Sequence, residues 1–343
     1  MSCVRSRCRS GFVPRAPDLM RGRTLGLTIS FMALLLHIAV ACALHFSTGA
    51  LAADQDQRVG ISAGETVLKQ ADGSIEATYH YRLVQPSAEA IAAPGARVAL
   101  VVFMHGSGER GSDNAAQLTH FAGNCASADF QKRAPCYLLA MQCPANEVWA
   151  AADIQGARDR GDLPAMAAQP TRVMRALMQA IDEVMASKAV DPARVYATGL
   201  SLGGFGTYDL VARRPELFAA AVPICGGGDP ATAAKLARVP FYIVHGEDDP
   251  VVPVSLARVM REAIAGASAA AWRTEQARVP ISNTPMPKPK PMPRPMPKRA
   301  PNPMYREYEH VGHDSWTPAY RFGEDGVLDW MFAQVKGATA TSK

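Results

Sequence analysis

Apolar residues recur along this chain with two different periods. Val98-Ala-Leu-Val-Val-Phe-Met104 is an unbroken, β-branched run, as expected of a strand buried on both faces of a parallel sheet. Tyr137–Met141, Phe218–Cys225 and Pro240–His245 repeat that character, and Ala77–Val84 alternates like an edge strand. Between them the period changes. Thr171–Lys188 places Val173, Met174, Leu177, Met178, Ile181, Val184 and Met185 on one stripe, the signature of an amphipathic helix. Asp191-Pro192 breaks it before another strand at Val195. Further helices are predicted from Val254 to about Ala267 and from Val327 to Val335. Strands alternating with helices predict an α/β domain, a mostly parallel central sheet with helices on both faces, over residues 77–337. Residues 53–76 are polar and read as a mobile lead-in with one strand, and 338–343 as a tail.

Two stretches fall outside this alternation. Residues 281–304 hold nine prolines, five Lys or Arg and no acid. Alternating prolines cannot join a helix or a central strand, so this insert reads as polyproline II or disorder. Residues 1–52 combine Arg21 and Arg23 with an apolar run from Leu25 to about Phe46 and an Ala50-Leu51-Ala52 end, which predicts a cleaved signal peptide and an exported, periplasmic or secreted protein. An uncleaved membrane anchor is the alternative, since the run is nearly long enough to span a bilayer. Ala39-Val-Ala-Cys42 is a distant match to a lipoprotein box that lacks the usual leucine.

The leader also explains the charge. The 343 residues carry a formal net charge of +5, but six arginines and a single acid, Asp18, sit in the first 52. The trimmed chain is neutral by count, so no footprint for nucleic acid remains. Of seven cysteines, Cys3, Cys8 and Cys42 lie in the leader. Cys125, Cys136, Cys143 and Cys225 remain, an even number that permits disulfides in an exported protein. Cys125 with Cys136 is the favoured pair, against four buried free thiols. No Cys/His spacing predicts a metal, and no cofactor is expected.

The chemistry begins at Val195-Tyr-Ala-Thr-Gly-Leu-Ser-Leu-Gly-Gly-Phe-Gly206. A G-x-S-x-G turn between strand and helix is a nucleophile elbow, which forces Ser201 into a strained backbone and lifts its hydroxyl clear of the sheet. In an α/β-hydrolase fold an acid and then a histidine follow the serine in the chain. His245-Gly-Glu-Asp-Asp-Pro-Val-Val-Pro253 offers Asp249, with Asp248 as the near alternative. Tyr308-Glu-His-Val-Gly-His-Asp-Ser-Trp316 offers His313, with His310 as the alternative. His105-Gly-Ser-Gly-Glu-Arg-Gly111 follows an early strand and is placed to supply oxyanion donors, the backbone N–H of Ser107 joining that of Leu202. It lacks the Gly-Lys-Ser/Thr of a phosphate-binding loop. Trp149 and Trp316 are candidates for the pocket wall, although buried packing is the blander reading of both.

Phe103–Asn114, Gly199–Asp209, Pro223–Gly228, His245-Gly246 with Asp249, and Gly312–Trp316 together resemble α/β-hydrolase carboxylesterases of the dienelactone-hydrolase-like kind. These are often labelled phospholipase/carboxylesterase or predicted peptidase, and are related to polyhydroxybutyrate-depolymerase-like esterases. The resemblance runs from about residue 77 to 335. It implies Ser201 as nucleophile, Asp249 as acid, His313 as base, and a small-molecule or polymer ester as substrate. The Pro/Lys-rich insert has no counterpart in that family. It enters from a helix-to-strand connection, opposite the catalytic edge, and is a candidate for contact with acidic envelope polymers or a membrane surface. A peptidase on the same scaffold, and a non-catalytic protein working through the insert, are the competing readings.

Overall fold

The computed structural model describes residues 59–151, 165–277 and 303–337. All of them fall in one compact unit, Gln57–Lys343. The leader, the tail and the insert up to residue 302 lie outside the described residues.

Eight strands form one sheet in the order β1-β2-β4-β3-β5-β6-β7-β8. They are β1 Ile61–Lys69, β2 Ile75–Val84, β3 Val98–Met104, β4 Cys136–Met141, β5 Val190–Leu200, β6 Ala220–Ile224, β7 Tyr242–Gly246 and β8 Met304–Tyr308. β1 and β2 form an antiparallel hairpin, and β2 lies antiparallel to β4. Every other pairing is parallel. This is the expected α/β-hydrolase architecture, a mostly parallel sheet between helices.

The central strands show why. Every residue of β3 and β4 is buried. Successive side chains of a strand point to opposite faces, so Leu100, Val102 and Met104 enter one core layer while Ala99, Val101 and Phe103 enter the other. The first layer is covered by α3 (Arg172–Ser187), α4 (Leu202–Arg213) and α6 (Ser255–Ala277). The second is covered by α1 (Phe121–Cys125), α2 (Ala128–Arg133), α7 (Trp316–Ala319) and α8 (Leu328–Ala333), while the four-residue α5 (Ala233–Leu236) lies beside α6 on the first layer. α3 starts where Thr171 caps it, its hydroxyl accepting from the N–H of Met174, a bond that satisfies one of the unpaired donors of the first turn.

Several expectations change here. The one strand expected in the lead-in is β1, and because its nine residues pair with β2 it belongs to the domain's sheet, which begins at Ile61 rather than near residue 77. β5 starts at Val190 and runs through Asp191-Pro192, with the register against β3 shifting between Val98 and Leu100. A bulge is where a strand tolerates a proline. Met304, assigned to the insert, opens β8 and pairs with Tyr242. α6 extends to Ala277, ten residues past its expected end. The Cys125–Cys136 disulfide is not formed. The two Sγ atoms lie 3.6 Å apart as free buried thiols, against the ~2 Å of a bond. Burial pushes the Cys125 thiol well above its ordinary pKa. Cys143 and Cys225 are free and buried as well.

Candidate active site

Four loops that follow the C-terminal ends of β3, β5, β7 and β8 meet at one edge of the sheet, the edge at which parallel α/β sheets build their sites.

The elbow turns directly from β5 into α4. Ser201 sits at the helix N-cap with φ 53° and ψ −117°, a left-handed conformation that costs a residue with a β-carbon about 1–3 kcal/mol. The surroundings hold it there. The Ser201 N–H donates to Ile224 O at 3.0 Å and to Cys225 Sγ at 3.2 Å. A β-carbon on Gly203 would meet Met104 O at 1.9 Å, so only glycine lets α4 pack this close to the end of β3. The Cys225 thiol, itself at φ 40°, is pushed up by its burial.

The acid and base arrive from elements far apart in sequence. His313 Nε2 lies 2.9 Å from Ser201 Oγ, and His313 Nδ1 lies 2.7 Å from Asp249 Oδ2. The other Asp249 oxygen accepts from the N–H groups of Val251 and Val252 at 2.8 and 2.9 Å. Burial works to raise the Asp249 pKa. Donation from His245, His313, Val252 and Val251 outweighs it and holds the carboxyl well below the usual range. The alternatives point elsewhere. Asp248 and His310 face solvent and approach each other at 3.7 Å. Cys225, Asp249 and His313 offer donor atoms within 4.8 Å of one another, but those of the acid and base are committed to the row just described.

The glycine-rich loop passes beside the serine. A β-carbon on Gly106 would stand 3.6 Å from Ser201 Cβ and 2.8 Å from Leu200 Cδ1. Buried His105 pins the loop, Nδ1–H donating to Gly106 O at 2.7 Å while Nε2 accepts from the Cys143 N–H at 3.0 Å. Its burial pushes its pKa down, consistent with a neutral ring that both donates and accepts. Ser107 opens a 3₁₀ turn and Leu202 opens α4. Each therefore carries one of the leading N–H groups that a helical turn leaves without an internal partner.

A cavity of about 140 Å³ adjoins the serine, lined by Ser107 and Leu202 together with Phe205, Val252, Pro253 and Leu256. Neither of the two tryptophans that are candidates for the pocket wall lines this cavity. Trp149 is fully buried, donates from Nε1 to His105 O at 3.0 Å, and stacks edge-on to that ring. It packs behind the loop instead of lining the pocket. Trp316 stands edge-on to His313 with ring centroids 5.4 Å apart, beside the base and outside the cavity wall. The apolar wall carries little sequence signal, because Phe205 and Leu256 sit at positions of α4 and α6 that any buried helix face would fill with such residues. Pro253 and Val252 carry a weak signal in the Pro-Val-Val-Pro turn after Asp249.

Residues 146–272 match the dienelactone hydrolase family. A stretch of 51 residues is 47% identical to poly(3-hydroxyalkanoate) depolymerase C of Paucimonas lemoignei, covering 15% of this chain and 12% of that protein. Another of 85 residues is 35% identical to the bifunctional acetylxylan esterase/xylanase XynS20E of Neocallimastix patriciarum, covering 24% and 12%. Among solved structures, a thermostable esterase is 31% identical with a TM-score of 0.59, over 80% of this chain and 63% of that one. The matches thus span about an eighth of each curated relative and under two thirds of the esterase.

Proposed function

We propose that this chain, a dienelactone-hydrolase-like α/β-hydrolase, cleaves carboxylic esters through an acyl-enzyme on Ser201. The observation that carries the reading is the unbroken row from Ser201 Oγ through His313 to Asp249, at 2.9 and 2.7 Å. His313 Nε2 takes the hydroxyl proton as Oγ attacks the ester carbonyl. Asp249 keeps the imidazole in the tautomer with its proton on Nδ1 and stabilises the imidazolium as it forms. The N–H groups of Leu202 and Ser107 receive the oxyanion, donors each worth about 2.7–4 kcal/mol of transition-state stabilisation in such sites. His313 then returns the proton to the leaving alkoxide. Water, activated by the same imidazole, releases the acid and restores Ser201.

The small apolar cavity beside Ser201 supports a short acyl or alcohol group. Two of the similar proteins carry esterase in their names, which favours an ester over an amide. Export directed by residues 1–52, and contact of the basic insert 281–304 with acidic envelope polymers or a membrane surface, belong to the same proposal and rest on sequence.

The test is Ser201→Ala assayed on chromogenic short-chain esters beside the matching amides. Loss of ester turnover and of fluorophosphonate labelling, with unfolding behaviour kept, is the expected result. Retained ester turnover would sink the assignment, and preferential turnover of the amide would make the chain a peptidase.

A further inference from the structure

The carboxylate of Asp249 serves two histidines. One is His313. The other is His245, the fourth residue of β7, whose Nε2 lies 3.2 Å from the same Oδ2 atom. Both His245 and Asp249 have side chains with no solvent exposure, whereas His313 keeps 20% of its side-chain surface. His245 Nε2 also lies 2.9 Å from Val252 O.

These contacts define its tautomer. A carbonyl and a carboxylate both accept, so the shared proton must sit on Nε2. His245 Nδ1 is buried and has no hydrogen-bond partner among the described residues. A proton placed there would be a buried, unpaired donor, a costly arrangement. The ring is therefore a fixed N–H donor, shared between the acid and the backbone of the turn that carries it. Val252 N–H in turn donates to Asp249 Oδ1 at 2.9 Å, so acid, turn and His245 close a small cycle. Rotation of the carboxylate toward or away from His313 would break it.

We infer that His245 is a positioning residue for the proposed reaction, holding the Asp249 carboxylate in the orientation and degree of charge that His313 requires. The inference rests on the Ser201–His313–Asp249 reading and deepens it. A carboxylate that lost this donor would keep its bonds to the Val251 and Val252 N–H groups and to His313, but would be less firmly oriented at Oδ2 and would be the more basic one. It would then grip the His313 imidazolium more strongly and delay its deprotonation as pH rises. The other titratable groups around the pair are Cys225 at the end of β6, Asp314 beside His313, and Glu307, which lies opposite His245 on β8 and is paired with Arg258. None of them replaces the lost N–H at Oδ2.

Three arms test this on the full chain. In ¹⁵N-histidine-labelled wild-type protein, His245 should show a protonated Nε2 and a bare Nδ1. A proton found on Nδ1 alone overturns the inference without reference to activity. His245→Leu should lower kcat on a short-chain ester on the order of ten- to a hundredfold, the range that outer-shell orienting partners carry in metal sites. It should change KM little, and the acid limb of kcat/KM should move to higher pH. His245→Gln, whose amide can donate from a similar place, should recover most of the rate and return the limb toward its wild-type position. Equal losses in the two variants with an unmoved limb, or a folded Leu variant as fast as wild type, overturns the inference. Because the wild type and Ser201→Ala are assayed beside them, failure of the serine-esterase reading appears as turnover in Ser201→Ala, and failure of this inference as wild-type behaviour of His245→Leu.

Discussion

Two aspartate–histidine pairs stand side by side on this molecule, and their residues are neighbours in sequence. Asp248 and His310 approach at 3.7 Å with side chains 62% and 89% exposed. Asp249 and His313 meet at 2.7 Å with side chains unexposed and 20% exposed. One step along the β7–α6 loop moves the acid from water to the interior, where two backbone N–H groups and two imidazoles converge on it. An exposed pair gains little, because solvent screens it and its side chains lose rotamer freedom to hold it. The buried pair holds one geometry because every oxygen of its carboxylate is engaged. Residue type is equal in the two pairs, so placement alone separates a surface contact from a candidate acid–base couple.

The comparison can be broken from its strongest side. His313→Ala should lower kcat on a short-chain ester by about 10⁴-fold or more, as loss of the base does in serine hydrolases, while His310→Ala stays within about twofold of wild type. Steady-state kinetics on the two variants decide it, and equal effects would erase the distinction. Asp249→Asn should cost roughly 10⁴-fold in kcat, because an amide no longer keeps His313 in the required tautomer. Asp248→Asn should leave the rate nearly unchanged in the same assay.

The smallest effect is on stability. The folded-state pKa of Asp249 lies below its unfolded value. The stability it contributes is therefore whole above the ordinary carboxylate pKa of about 4, and is lost as pH falls from there through the folded value. Urea unfolding of wild type and Asp249→Asn should show a constant gap from about pH 5 to 8 that narrows on acidification below about pH 4. A gap that narrows already near neutrality would contradict the donor arrangement around the carboxylate.

Much of the architecture was legible because it depends on neighbours in the chain. The unbroken apolar run 98–104 became a fully buried central strand, and the 3.6-residue stripe of 171–188 became α3. The misreadings have local causes too. The lead-in does hold the one strand expected of it, but residues 61–69 fall outside the domain expected from sequence, since β1 lies at the sheet edge with several side chains exposed and a one-sided edge strand shows little hydrophobic signal. Trp149 is different: a large aromatic near glycine-rich loops suits either the pocket wall or buried packing, and packing is the blander reading. Its Nε1–H bond to His105 O decides for packing. Cys125 and Cys136 were rightly placed together, but adjacency in space does not by itself make a bond.

The order of serine, acid and histidine, and the elbow itself, are properties of the linear chain. Glycines at 199 and 203 announce a turn that no larger residue can make, because that constraint is steric and short in range. The chain order and loop positions already favour Asp249 over Asp248 and His313 over His310, but the contacts that separate the two pairs, the apolar wall beside Ser201 and the second histidine on the acid required the folded sheet. Ser201 and His313 are 112 residues apart, and Asp249 and His313 are 64. Whether such groups face one another depends on where three separate loops leave the same sheet edge and what excludes water there, and no local pattern encodes that.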